Sequence, residues 1–164
     1  MPLPILYAAE ITGAETTGYE TDVTFRGFPW GTSMNEFIGR MGNPISREEI
    51  NGLSSLLWEN VEVNGYMTYM VVYFSSAGLQ GGTYYFLTYS IDELMQCYSE
   101  LREELRGRFG PTNLFHGILR EMRHYECFWN LEGGSVHLKT NTRQDIPVTL
   151  WFASPELTRL ITGG

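Results

Sequence analysis

The sequence predicts an α+β domain: an antiparallel sheet with helices packed on one face. Three features predict it. Strand-like runs come in groups joined by Gly- and Asn-rich turns, single amphipathic helices separate the groups, and each helix opens on a Ser with a Glu three residues later. The predicted order is roughly β-α-α-βββ-α-βββ over residues 23–164, with residues 1–22 as a disordered leader. A chain of 164 residues can bury a core without disulfides or metals.

Val23 to Phe28 alternates enough for a short strand, and Pro29-Trp30-Gly31 breaks it. Ser33 and Glu36 form a capping box. Met34, Phe37, Ile38 and Met41 then mark one helical face, which Gly42-Asn43-Pro44 ends. Ser46 and Glu49 repeat the box spacing and predict a shorter helix to about Leu53. Leu56–Val63 reads as a strand running into Asn64-Gly65, a hairpin pair suited to positive φ at both turn positions. Tyr66–Ser75 returns, Gly78 and Gly81-Gly82 mark the next turn, and Thr83–Tyr89 makes a third strand.

Ser90 and Glu93 open the long helix, whose stripe is Ile91, Leu94, Tyr98, Leu101 and Leu105 with Cys97 on its edge. Gly110-Pro111 stops it. Strands are predicted over Arg120–Asn130, Ser135–Thr140 and Pro147–Ala153. In them Tyr125, Cys127 and Trp129 alternate with His124, Glu126 and Phe128, as in a sheet with one face open to water. A helix followed by a three-stranded meander occurs twice, without sequence identity between the two.

Charge is unevenly spread. Residues 1–100 hold twelve acids against Arg26, Arg40 and Arg47, a net of −9, while residues 101–164 hold seven acids against eight bases, a net of +1. An acidic chain repels a nucleic-acid backbone, so direct nucleic-acid binding is not expected. No apolar run is long enough for a membrane span. Met1–Ala9 is apolar without a basic start, and reads as a trimmed signal remnant, a misplaced start or a tail. The Thr-, Gly- and Glu-rich stretch to Asp22 favours an extracellular or cell-envelope location, with the cytoplasm as the alternative.

The string Gly31-Thr32-Ser33-x-x-Glu36-Phe37 followed by Gly42-x-Pro44 resembles the helix motif of β-lactamase-inhibitor-protein-like domains and small outer-membrane-assembly lipoproteins. Phe25-Arg26-Gly27-Phe28-Pro29-Trp30-Gly31-Thr32-Ser33, with Leu57-Trp58-Glu59-Asn60-Val61-Glu62-Val63-Asn64-Gly65-Tyr66 after it, is similar to uncharacterised exported proteins of Gram-positive bacteria. The likeness covers residues 23–110 and continues by element order alone. It implies a helix-on-sheet module, often exported, whose sheet face binds other proteins. Unlike the lipoprotein members, the sequence has no lipobox cysteine near its start.

Catalytic and cofactor motifs are missing: no nucleophile elbow, phosphate loop, zincin motif or dinucleotide fingerprint occurs. Gly78-Leu79-Gln80-Gly81-Gly82 lacks the Lys-Ser/Thr of a phosphate loop and reads as a hairpin turn. His124, Cys127, His116, His137 and Cys97 offer metal-ligand chemistry. Positions i and i+3 of a strand face opposite ways, however, so His124 and Cys127 cannot chelate together, and no metal or cofactor is expected. The nearest thing to an acid–base site is Glu126, His124 and His137, which could share the open face of the C-terminal sheet.

Tyrosines carry the stronger signal. Seven of ten lie between Tyr66 and Tyr98. With Met70, Val72 and Phe74 in the core, Tyr69 and Tyr73 fall on the open face beside Tyr84 or Tyr85. That pattern fits cross-strand packing, and equally a contact platform, because tyrosine joins apolar area to a polar tip. The expected function is therefore a non-enzymatic protein-binding module, with Tyr69, Tyr73, Tyr84 and Tyr85 as partner-binding residues. The alternatives are an intracellular or phage-borne inhibitor of a nucleic-acid-processing protein acting through its acidic half, and an enzyme of unknown class.

Overall fold

The structure is a computed structural model that describes residues 18–119, 122–143, 145 and 147–163. Its elements are α1 (Met34–Met41), β1 (Ser46–Ile50), β2 (Leu53–Val63), β3 (Tyr66–Ser75), β4 (Gly78–Phe86), α2 (Ile91–Phe109), β5 (Asn113–Leu119), β6 (Met122–Leu131), β7 (Gly134–Asn141), β8 (Val148–Ala153) and α3 (Pro155–Thr162). All strands lie in one antiparallel sheet ordered β1-β2-β3-β4-β8-β7-β6-β5. Two four-stranded meanders, each preceded by a helix, are joined where β4 pairs with β8. The α+β class and the antiparallel sheet are as expected.

Local chemistry explains most boundaries. Ser33 and Ser90 cap their helices by accepting from the backbone N–H of Glu36 and Glu93. Asn64 and Gly65 take φ of 51° and 80° and close a two-residue hairpin between Val63 and Tyr66. That hairpin is tied to α2 by Asn64 Nδ2 donating to Glu104 at 2.7 Å and the Tyr66 hydroxyl to Glu100 at 3.0 Å.

Several predicted elements are corrected. The expected helix at Ser46–Leu53 is edge strand β1. Its sequence has one apolar residue, Ile50, so a helix there would have had no face to bury. Asn51-Gly52, both at positive φ, turns it into β2, and Glu49 bonds the Ser54 hydroxyl across the strands instead of closing a capping box. The predicted strand at Val23–Phe28 is a tight turn, with Arg26 and Gly27 at positive φ, that sends Phe25 and Phe28 into the core.

Gly81 and Gly82, read as a turn, lie inside β4 while Ser76-Ala77 turns the chain. They are glycines because both faces are approached closely. A Cβ on Gly82 would sit 2.4 Å from the Phe25 ring, and one on Gly81 2.7 Å from Leu157. The predicted strand at Arg120–Asn130 is β6, and β5, over Asn113–Leu119, was not predicted. Helix α3 was not predicted, although Ser154 as cap, Pro155 in the first turn and Gly163 at φ 81° are the residues a short helix needs.

The core lies between the sheet and the first two helices. From α1, Phe37 is fully buried among Phe25, Phe28, Trp58 and Phe74. From α2, Leu94, Cys97, Tyr98, Leu101, Leu105 and Phe109 are buried. The sheet supplies Leu56, Met70, Val72, Tyr84, Phe86, Leu138 and Leu150. Helix α3 packs on the opposite face, which corrects the expectation of helices on one face alone. Gly81 and Ser135 point away from the core, and they meet Leu157 and Thr158, with Ser135 Oγ 2.7 Å from Thr158 Oγ1.

Residues 18–22, expected as the end of the leader, are bonded to the domain. The Glu20 backbone N–H donates to Arg108, the Glu20 carboxylate pairs with the Arg108 guanidinium, and the Gly133 N–H donates to Thr21. The rest of the expected leader lies outside the described residues.

Both cysteines are buried free thiols. Burial pushes Cys97 up to about 12, and it raises Cys127 too, with Tyr98 Oη 3.2 Å from its sulfur. A thiol reagent is expected to find neither group in the native protein and both after unfolding. Rapid reaction of both in the native state would contradict this packing.

Candidate functional site

The face of the sheet away from α1 and α2 is read directly from strand register. One row runs Tyr69, Tyr85, Thr149, Lys139, Glu126 across β3, β4, β8, β7 and β6. The next runs Val71, Thr83, Trp151, His137, Phe128, and the third Tyr73, Gly81, Ala153, Ser135, Asn130. Helix α3 covers the Gly81 and Ser135 positions of the third row, so the first two rows together with Tyr73 form the open surface.

Three of the four predicted tyrosines share this face. Tyr69 is 39% exposed, and Tyr73 and Tyr85 are half-buried. Burial first, and then Tyr85, raises the Tyr73 hydroxyl above its ordinary range, while neighbouring Thr83 opposes the shift. Tyr84 is the correction: it is 0% exposed and points into the core. Adjacent residues of a strand face opposite ways, so Tyr84 and Tyr85 could not both lie on the platform. Burial pushes Tyr84 up to about 12, against the Arg26 guanidinium, whose Nη1 donates to its hydroxyl at 3.1 Å.

The predicted grouping of His124, Glu126 and His137 is present on the same face. His124 Nε2 lies 2.9 Å from Glu126 Oε2, and His137 Nε2 bonds the other oxygen, Oε1. The Phe128 ring stands edge-on to His137 at 5.5 Å. Burial opposes ionisation of Glu126, but the hydrogen bond from His124 and the charge and hydrogen bond of His137 outweigh it and hold the carboxyl below its ordinary value. Burial holds His137 below its ordinary value in spite of Glu126.

The linkage signs agree. The unfolded state binds more protons than the folded one at both groups, so each contributes stability that is lost on acidification. The melting temperature is expected to fall as pH drops below the ordinary His value of 6.5, and further as the Glu126 carboxylate is protonated. Glu126→Gln should flatten the lower limb, and an unchanged profile would contradict the assignment.

His124 and Cys127 face opposite ways, Cys127 in the core, and the His116 side chain lies outside the described residues. Among the described residues no group of three His, Cys, Asp or Glu is placed to hold a metal ion. A cleft lined by Phe109, Pro111, Thr112, Phe128, Trp129, Asn130 and Leu131 meets this face at Phe128 and carries no acid or base in its lining.

Sequence reasoning left Thr149, Trp151 and Lys139 out of the site. They reach it through the β4–β8 pairing, a contact between distant parts of the chain that local periodicity cannot report. The half-buried Trp151 has its buried Nε1 without a hydrogen-bond partner among the described residues.

The fold has a solved counterpart. It is a crystal structure of an extracellular protein containing a SCP domain from Bacillus anthracis str. Ames, with a TM-score of 0.50 and 9% identity. The match covers 92% of this chain and 52% of that one, so this chain spans about half the length of the protein it resembles. At that identity the likeness concerns the fold. No family model and no curated protein matches the chain. Among the described residues no helix is long and apolar enough to cross a membrane.

Proposed function

We propose that the domain is a non-enzymatic binding module that presents the face bearing Tyr69, Tyr73 and Tyr85 to a protein partner outside the cell. The observation that carries this is a group of large amphipathic side chains left accessible on a sheet whose other face carries the hydrophobic core. Tyr69 and Met67 are 39% and 40% exposed on β3, and both point to the open side. Contiguous aromatic surface of this kind supplies interface anchors, because rings bury much area at little entropic cost.

The resemblance of Gly31–Pro44 to β-lactamase-inhibitor-protein-like domains supports the same reading, and the extracellular protein of similar fold is consistent with export. An inhibitor acting through its acidic half has less support, since β3 and β4, the inner strands of that half, carry no charged residue.

The test is a quantitative capture from the secreted and envelope fractions of the source cells, using the wild-type domain and the Tyr69→Ala/Tyr85→Ala variant. A partner held by the wild type should bind the variant at least about tenfold more weakly, the effect of losing anchors worth about 2 kcal/mol or more. Equal capture by both would remove the assignment.

A further inference from the structure

The open face carries one lysine at its centre, beside the Glu126 carboxylate. Lys139 is the only lysine in the chain, and it is the only Asp, Glu, Lys or Arg in β3, β4, β7 and β8. It is exposed, and it stands directly opposite Glu126 on β6, where a cross-strand ion pair would be the ordinary outcome. That pair does not form. Both Glu126 oxygens are taken by His124 and His137, and Lys139 has no ion pair among the described residues. On the other side its row continues through Thr149 and Tyr85 to Tyr69.

We propose that Lys139 is the charge anchor of this face, and that the partner it takes is an acidic polypeptide segment with an Asp or Glu side chain beside aromatic or aliphatic residues. The inference rests on the binding-face reading above and adds the chemistry of the partner. One ammonium, with hydroxyls and rings on one side of it, matches one carboxylate flanked by apolar groups. The match gives a charge-assisted hydrogen bond and anchors for Tyr85 and Tyr69 together. Strand spacing puts Lys139 roughly 14 Å from Tyr69, the length of about four to five extended residues.

A nucleic acid fits this face badly, because a phosphate backbone needs several cations along its path. The net charge of −8 does not oppose the contact at short range. Exposed charges beyond about 8–10 Å are screened at physiological salt, and the Glu126 carboxylate inside that distance has both its oxygens bonded to His124 and His137.

The experiment is selection of a random dodecapeptide phage library on the intact domain, followed by titration of the recovered peptides. Because Lys139 is the one lysine, ¹³C reductive methylation places a single side-chain NMR reporter on it besides the N-terminal amine. The expected result is enrichment of peptides with Asp or Glu next to aromatic or aliphatic residues, together with saturable movement of the Lys139 signal. Affinity should fall about tenfold or more with Lys139→Gln, or with Asn or Gln replacing the peptide's acid.

Peptides that lose affinity with Tyr85→Ala but bind Lys139→Gln undiminished would overturn this inference and leave the binding face standing. Peptides indifferent to both substitutions, or no enrichment at all, would overturn the two together. Tighter binding of an oligonucleotide than of any acidic peptide would also overturn it. Thermal melts of Lys139→Gln, an exposed position, should match the wild type and confirm that the fold is intact.

Discussion

Phe37→Ala is expected to lower the unfolding free energy by about 3–5 kcal/mol, the range for emptying a packed aromatic site. Phe37 is 0% exposed, and it is the one side chain of α1 that reaches the centre of the core. Its ring meets Phe28 at 4.6 Å, Phe74 at 5.5 Å and Trp58 at 5.6 Å, and stacks with Phe25 at 6.4 Å. These neighbours come from three separate segments: the turn before α1, β2 and β3. Truncation therefore leaves a cavity walled by rings that cannot all move inward, and aromatic pairing is lost along with buried area. Helix α1 is 8 residues long, too short to hold without tertiary packing, and Phe37 is its one buried residue. Urea unfolding measures the effect. A change below about 1 kcal/mol would mean that α1 does not pack as described.

Tyr84→Ala and Tyr85→Ala are expected to differ greatly although the residues are adjacent. Tyr84 is enclosed by Phe25 at 5.2 Å, Phe86 at 6.2 Å and Phe152 at 6.5 Å, and its hydroxyl accepts from Arg26. Its removal should cost about 3–5 kcal/mol, since it empties a core site and takes away the acceptor of a partly buried guanidinium hydrogen bond. Tyr85 loses cross-strand packing against Tyr69 and Thr149, and its removal should cost about 1 kcal/mol. Paired denaturation curves decide the facing of β4, and equal losses would contradict it. Thermal melts of Tyr69→Ala should behave like those of Tyr85→Ala. The half-buried Tyr73 should fall between the two extremes.

Much of the fold was legible because local chemistry and tertiary packing agree. Ser33 with Glu36, Ser90 with Glu93 and Asn64-Gly65 mark element ends by backbone requirements that hold whatever surrounds them. Where the reading went astray, one local signal stood for two structures. Ser46 and Glu49 have capping-box spacing, yet in an extended strand that spacing places them on opposite faces, and the apolar content of Ser46–Ile50 was too low to hold a helix. Gly81-Gly82 signals a turn by composition but is a smooth floor for Phe25 and Leu157.

The site was half legible for the same reason. Alternation along β3 and β6 separates Tyr69 and Tyr73 from Met70, Val72 and Phe74, and Glu126 from Cys127. Alternation alone left Tyr84 and Tyr85 undivided, because assigning them needs the phase of β4. That phase is set by the Tyr69–Tyr85 pairing. Lys139 and Trp151 joined the site only through β8 inserting beside β4, a long-range pairing with no local signature.

The central claim, that this open face is the surface the domain uses, is tested most directly by site-specific photo-crosslinking in the source cells. A photoreactive residue is placed at Tyr69, and in a parallel strain at Glu103, on the solvent face of α2. Irradiation is expected to give one discrete protein adduct from position 69, identified by mass spectrometry, and none from position 103. No adduct from position 69, or the same adduct from both positions, would contradict the account.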